Sequence, residues 1–186
     1  MYHLRKIING CRKNDRRSQR LLYEYYYGYA LKISFRYLDT YDEAVGLTND
    51  TFLTIFRTLK DFEYCQKEKL DCRLRRWIKT KMIDALVQNF KSTLGQHLPE
   101  MHLCRAPMTD YRIPPDSPCL FRDIISAVRG LPCILRVVFN LHVIDGYAQT
   151  EIADTLGITV QAVGCYIRVA RRCCRKSFLA SNGNSR

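Results

Sequence analysis

The sequence predicts an all-α fold made of two small helical domains joined by a flexible linker. Apolar residues recur at three- and four-residue spacing on both sides of the chain centre, and no segment shows the alternation typical of strands. Five of the six prolines fall between Ser92 and Pro118, where they exclude helix interiors and central strands. The predicted organisation is a domain over 1–92, a Pro-rich linker over 93–119, a domain over 120–180 and a polar tail over 181–186.

The length and composition exclude several broad classes. A chain of 186 residues with 47% hydrophobic residues can bury one or two cores and is not wholly disordered. The longest apolar stretch, residues 133–144, is interrupted by Arg136, Asn140 and His142, so no segment is predicted to span a bilayer. The N-terminus has basic residues without an apolar run behind them, unlike a secretory signal. The predicted location is the cytoplasm.

The nine cysteines are interpreted as buried or idle thiols. They form no CxxC pair, and a reducing compartment disfavours disulfides. His97, His102 and Cys104 lie close in sequence, but their spacing fits no common zinc site. We therefore predict no metal and no cofactor.

The positive charge predicts a polyanionic partner. The net charge of +12 divides into +8 for residues 1–92, −1 for residues 93–120 and +5 for residues 121–186. Two basic blocks thus flank a near-neutral stretch. Basicity of this size favours nucleic acid over an anionic membrane surface.

Three helices are predicted in the first block. The first has apolar positions mostly at helical spacing: Leu21, Leu22, Tyr25, Tyr26, Tyr29, Ile33 and Tyr37. This spacing favours a core role for its tyrosines over a base-stacking platform. The second helix is predicted from Asp42 to Leu59. The third begins near Asp71 or Arg73 and continues past Trp77 to Phe90, after a polar loop over 61–72.

Residues 149–169, QTEIADTLGITVQAVGCYIRV, predict a helix-turn-helix. Ala153 is small where the two helices would cross. Gly157 lies at the turn, where a positive φ is needed, and Thr159 can cap the second helix. The agreement of several constrained positions makes this the strongest motif in the chain.

The second helix of this motif divides into two faces. Val163, Ile167, Ala170 and Cys174 are predicted to point inward. On the other face, Gln161, Cys165 and Arg168 are candidates for reading base edges in the major groove. The candidates for phosphate binding, which have no acid among them, are Arg171, Arg172, Arg175 and Lys176.

These features resemble a known family. Residues 131–163, LPCILRVVFNLHVIDGYAQTEIADTLGITVQAV, resemble region 4 of sigma-70-type RNA polymerase sigma factors of the extracytoplasmic-function (ECF) type. DEAVGLTNDTFLTIF and RRWIKTKMIDALVQNFK are similar to region 2 of the same family, in the same order and spacing. The NDTF sequence is similar to members from the Bacteroidetes group. The resemblance covers nearly the whole chain except the linker and the tail.

The resemblance implies a transcription initiation factor that performs no catalysis and takes no small-molecule substrate. Its implied partners are core RNA polymerase (the β′ clamp helices and the β flap), promoter DNA and, as in many family members, a membrane-bound anti-sigma factor. The positions that match the family's polymerase-binding face are Glu43, Asn49, Asp50 and Leu53. The polar loop 61–72 would also take part in capturing the melted −10 element. The other residues implied in that capture are Arg73, Arg76, Trp77, Lys81, Asp84, Gln88 and Lys91.

Several residues depart from the family pattern, among them Gln161, Ala162 and Cys165 in place of the usual Gly, Thr and Ser. Gly46 and Gln88 replace the usual Asp, Asp84 replaces the usual Asn, and Gly164 replaces the usual Lys. We therefore expect an unusual promoter preference or weak −35 binding. The alternatives are a helix-turn-helix regulator that acts without polymerase and a degenerate sigma-like protein. An enzyme on nucleic acid is disfavoured, since the sequence has no Gly-rich phosphate loop and no paired metal-binding carboxylates.

Overall fold

The computed structural model describes residues 2–63, 69–94 and 121–183, and every regular element in these ranges is helical. The all-α prediction is therefore confirmed. The chain divides into two compact units, Met1–Thr93 and Leu94–Arg186. Most of the predicted linker, the set His97, His102 and Cys104, and the end of the tail lie outside the described residues.

The first unit contains four α-helices. They are α1 (Tyr2–Arg12), α2 (Arg16–Tyr37), α3 (Tyr41–Thr58) and α4 (Leu70–Leu94), with a 3₁₀ turn at Leu59–Asp61 after α3. The predicted second helix agrees with α3 to within one residue at each end. Helix α4 extends four residues beyond the predicted end at Phe90, so that the first two residues of the predicted linker are helical.

Side-chain caps fix the starts of α2 and α3. The Asp15 carboxylate accepts a hydrogen bond from the backbone N–H of Ser18 at 3.0 Å. Thr40 and Glu43 form a reciprocal capping box, in which each side chain accepts a backbone N–H of the other residue at 3.2 Å. Such caps satisfy donors that the first helical turn leaves free, and so they stabilise the starts of the two helices.

The tyrosine-rich run contributes to the core, as its spacing predicts. Tyr26 and Tyr37 are buried, and Leu22 and Ala30 lie with them on the same face of α2. Tyr25 is 65% exposed, however, so the run supplies both core and surface. The outcome follows helical geometry, because adjacent residues point in directions about 100° apart.

A polar network joins α2 to the start of α4. The Tyr26 hydroxyl donates a hydrogen bond to Asp71 at 2.7 Å, and Arg75 donates to the other carboxylate oxygen at 2.9 Å. Burial raises the pKa of the Tyr26 phenol, and the bond to Asp71 adds to this shift. Burial also raises the pKa of Asp71, but the hydrogen bonds from Tyr26 and Arg75 outweigh it and leave that pKa lowered. The network thus favours a neutral tyrosine and an ionised aspartate.

The second unit contains the remaining helices. They are α5 (Phe121–Arg129), α6 (Cys133–Phe139), α7 (Gln149–Leu156) and α8 (Val160–Gly183), and a π-helical turn at Asn140–Ile144 continues α6. Helix α8 contacts α5, α6 and α7, so it is the centre of this unit. Val128, Val138, Leu141, Ile152 and Val163 are each buried to at least 99%.

A buried arginine links α5 to α6. Arg136 is 2% exposed and is the largest fully buried side chain among the described residues. Its Nη1 donates to the carbonyl of Arg129, the last residue of α5, at 3.0 Å. A cation at this point complements the negative end of the helix dipole. Arg136 therefore caps the C-terminal end of α5 from inside the domain.

Buried cysteines are consistent with the interpretation of idle thiols. Cys11, Cys165 and Cys174 are buried, whereas Cys72 and Cys133 are exposed. Burial raises the pKa of both Cys11 and Cys174 to about 11, so these two thiols stay protonated at neutral pH.

Among the helices of the described residues, none combines the length and the apolar character that a membrane span requires.

Candidate nucleic-acid interface

Helices α7 and α8 form the predicted helix-turn-helix. Gly157 ends α7 with a φ of +70°, in the left-handed region that a residue with a Cβ rarely adopts. Thr159 Oγ1 accepts a hydrogen bond from the N–H of Ala162 at 3.2 Å, which confirms its capping role. Ala153 is 4% exposed where the helices meet. The turn and the cap fix how α8 leaves α7.

The inward face predicted for α8 is confirmed. Val163, Ile167, Ala170 and Cys174 are all buried. The other face carries polar and cationic side chains, which cover about 140° of the helix circumference at 100° per residue. Arg175 is half-buried, and the others are exposed: Gln161, Arg168, Arg171, Arg172 and Lys176. This arrangement presents amide and guanidinium donors next to cations, as duplex reading requires.

The prediction that Cys165 faces the groove is wrong. Cys165 is 4% exposed although it lies about 200° around the helix from Val163. Three helices pack around α8, so its buried sector is wider than a pair of crossing helices would give. The short thiol is covered there, whereas the longer side chains of Gln161 and Arg172 on the same side reach solvent.

Sequence reasoning missed two groove residues, Gln149 and Val160. They line an open groove of about 630 Å³ between α7 and α8, called here the α7–α8 groove. Its other lining residues are His142, Gln161, Gly164, Ile167, Arg168 and Arg171. Val160 is 44% exposed at the first position of α8. The sequence signal that could have indicated Val160 is an apolar residue at the start of the helix, outside its predicted inward face.

Gly164 shapes the floor of this groove. The Oε1 atom of Gln149 lies 3.3 Å from the position that a Cβ at residue 164 would occupy. Any side chain there would therefore press against Gln149. The departure from the family's Lys removes a cation from α8, but it also opens space on the face of the helix.

A second candidate surface lies on α4. Arg76, Asp84, Gln88 and Lys91 are exposed, and Arg73, Trp77 and Lys81 are half-buried. All but Arg76 fall within a sector of about 80° around the helix axis. Of the loop predicted to accompany them, residues 64–68 lie outside the described residues. The α4 surface thus combines cations, an amide and one large aromatic ring.

Trp77 is held in place on this surface from two sides. Its ring centroid lies 5.4 Å from that of Phe62, and the Lys81 Nζ lies 5.8 Å from the Trp77 centroid. Partial burial raises the pKa of Asp84, and Lys81 opposes this shift more weakly. An indole braced in this way, next to cations, suits stacking with an unpaired base.

The third candidate surface is the outer face of α3. Glu43, Asn49, Asp50 and Leu53 are all exposed, with Leu53 at 56%. Two of these residues also have local partners: Glu43 closes the capping box, and the Asn49 Oδ1 accepts a hydrogen bond from the Tyr23 hydroxyl at 2.8 Å. The α3 face therefore presents acids beside one exposed leucine.

We expect Gly46→Ala to stabilise the first domain by about 0.5–1 kcal/mol. Apart from the backbone of its own helix and its two chain neighbours, no atom lies within 4 Å of the position of an added Cβ, so the substitution gains helix propensity without a clash. Urea unfolding followed by the fluorescence of Trp77, the single tryptophan, measures the effect.

Two other glycines serve as controls for this prediction. Gly28 in α2 has the same open surroundings, so Gly28→Ala should stabilise to a similar extent. A Cβ at Gly10 would lie 2.6 Å from the Ser18 Cβ, so Gly10→Ala should destabilise. If Gly46→Ala and Gly10→Ala changed the stability equally, the prediction that Gly46→Ala stabilises the first domain would be contradicted.

Comparison with known proteins identifies the helix-turn-helix domain. Residues 121–174 match the family model for Sigma-70, region 4. No curated protein sequence matches the chain. Among solved structures, CnrH in complex with the cytosolic domain of CnrY is similar, at 17% identity and a TM-score of 0.46 over 95% of this chain and 97% of that one. The sigma factor RpoE in complex with the anti-sigma factor NepR from Bartonella quintana is similar at 13% identity and 0.47, over 86% and 95%.

The second domain thus has the fold and the exposed basic face of a DNA-binding helix-turn-helix protein. More particularly, its residues 121–174 match region 4 of the sigma-70 family. The predicted resemblance to region 4 of this family is thereby confirmed.

Proposed function

We propose that the chain is an alternative sigma factor of the ECF type, which binds core RNA polymerase and directs promoter-specific initiation. The observation that carries this proposal is the region 4 helix-turn-helix with its exposed Gln161 and arginine face. The factor acts by binding alone, with no catalysis, cofactor or metal of its own. Because polymerase and promoter DNA share the bacterial cytoplasm, we place the chain there.

Region 4 would read the −35 duplex through α8. Gln161 and Arg168 lie on the exposed face in the N-terminal part of this helix, which enters the major groove in helix-turn-helix proteins. Their side chains have the donor geometry for adenine and guanine edges. The phosphate contacts would come from Arg171, Arg172, Arg175 and Lys176.

The α4 surface would hold the melted −10 strand. Trp77, braced by Phe62, offers a stacking face, and Arg73, Arg76, Lys81 and Lys91 supply cations for the strand backbone. Asp84 lies among these cations and would repel phosphate when ionised. Gln88 would supply an amide for base contact.

The α3 face would bind the β′ clamp helices, and region 4 would contact the β flap. Exposed Leu53 provides an apolar anchor, and Glu43, Asn49 and Asp50 surround it with polar groups. An anti-sigma factor anchored in the membrane completes the proposed set of partners.

Transcription from a promoter library tests this function directly. The purified chain is added to core polymerase, and initiation is mapped by sequencing the transcripts. Specific start sites support the proposal. Core binding without initiation would instead indicate a degenerate sigma-like protein. Duplex binding with no affinity for core polymerase would indicate a regulator that works without it.

Arg168→Ala is expected to change which −35 sequences are preferred, since Arg168 is assigned to base reading. The loss on the best site should be about 1–3 kcal/mol, with little loss on weak sites. Arg172→Ala is the matched variant on the same exposed face. It should weaken binding evenly on all sequences and reduce the slope of log K against log salt by about one. A uniform loss from Arg168→Ala would contradict its assignment.

A further inference from the structure

The floor of the α7–α8 groove is apolar, although its rim is polar. Val160, Gly164 and Ile167 follow one another at spacings of four and three residues, so they form a single stripe on α8. Gln149, Gln161, Arg168 and Arg171 surround this stripe. A depression with an apolar floor therefore lies at one edge of the surface proposed to meet DNA.

The core does not account for the position of Val160. The buried residues of α8 include Val163, Ile167 and Ala170, yet Val160 keeps 44% of its surface exposed at the start of the helix. If a partner covers an exposed, branched apolar side chain among amides and arginines, the free energy of the complex falls. The partner must also suit the cations around it.

Duplex DNA offers one apolar group in the major groove, which is the 5-methyl group of thymine. The absence of a side chain at Gly164 leaves room for such a group beside Val160. At the rim, Arg168 matches the base edges and Arg171 the phosphates that would accompany it. We propose that the depression formed by Val160, Gly164 and Ile167 receives a thymine methyl group of the upstream element. This inference rests on the proposed reading of duplex DNA by α8.

The test uses duplexes that the full chain selects from a random library, with each thymine replaced in turn by deoxyuridine. Uracil lacks only the 5-methyl group, so the replacement removes the proposed contact and nothing else. We expect one position at which deoxyuridine weakens binding about three- to fivefold, the value of one buried methyl group. Fluorescence anisotropy at fixed salt measures the affinities.

Variants assign the methyl contact to the depression. Val160→Ala should weaken binding to the thymine duplex. It should also bring the ratio of the affinities for the thymine and deoxyuridine duplexes to about one. Gly164→Ala should do the same, because its Cβ would fill the depression next to Gln149. Val143→Ala is the matched control, since Val143 is also 44% exposed but does not line the groove. It should keep the full ratio.

The outcomes separate this inference from the proposed function. If the chain selects a duplex and initiates transcription, but no thymine replacement changes affinity, the methyl contact is refuted and the sigma function stands. The contact is equally refuted if Val160→Ala keeps the ratio of the unaltered chain while its thermal unfolding is unchanged. If no duplex is selected, duplex reading fails, and the methyl contact fails with it.

Discussion

Arg136→Ala is expected to destabilise the second domain by about 3–4 kcal/mol. The substitution removes the largest fully buried side chain among the described residues, so it leaves a cavity next to α5 and α6. It also leaves the Arg129 carbonyl without the donor that lies 3.0 Å away. A loss of this size is a large part of the 5 kcal/mol or so that keeps a small domain folded.

Hydrogen–deuterium exchange of the amides in α5, α6 and α8 measures this effect. Trp77 fluorescence cannot do so, because the tryptophan belongs to the first domain.

Arg136→Met separates the effect of the cavity from that of the lost hydrogen bond, since methionine fills much of the volume but donates no hydrogen bond. We expect it to cost less than Arg136→Ala. Arg172→Ala, on the exposed face of α8, should change stability by less than about 0.5 kcal/mol. Unaltered exchange in Arg136→Ala would contradict the buried role.

Phe52→Ala is expected to destabilise the first domain by about 3–4 kcal/mol. Phe52 is 1% exposed, and its ring makes a T-shaped contact with the Tyr23 ring, with the centroids 4.9 Å apart. Truncation removes this contact and leaves a cavity between α2 and α3. Urea unfolding followed by Trp77 fluorescence measures the loss.

Leu53, the next residue along α3, is the matched control for Phe52. Because it is 56% exposed, Leu53→Ala should change stability by less than about 0.5 kcal/mol. On the proposed function, it should instead weaken binding to core polymerase about five- to tenfold. A titration of labelled chain with core polymerase measures this second effect. If Leu53→Ala binds as well as the unaltered chain, the α3 face is not the polymerase contact.

The helix-turn-helix is the part of the candidate site that could best be predicted from the sequence. Gly157 and Thr159 are local signals, since a positive φ and a cap each depend on one or two residues. The inward positions Val163 and Ile167 follow from helical periodicity alone. The structure confirms all of these. The residues assigned to the −10 strand and to polymerase binding stay predictions.

Periodicity failed where several helices meet. It places Cys165 on the open side of α8, but burial there depends on α5, α6 and α7 together. The sequence also did not predict the π-helical turn after α6. In this turn the Asp145 N–H donates a hydrogen bond to the Asn140 carbonyl, five residues earlier, at 2.8 Å. No local composition rule indicates such a bond.

The sequence by itself determined the all-helical class, the separation of two basic blocks by a proline-rich stretch, and the turn of the helix-turn-helix. These features depend on short-range spacing, backbone preference and charge, which are properties of a few neighbouring residues. Only the tertiary structure decided that Cys165 is buried, that Arg136 closes α5 from within, and that Val160 lines a depression opened by Gly164. These features depend on which helices surround a side chain, and residues distant in sequence set those surroundings.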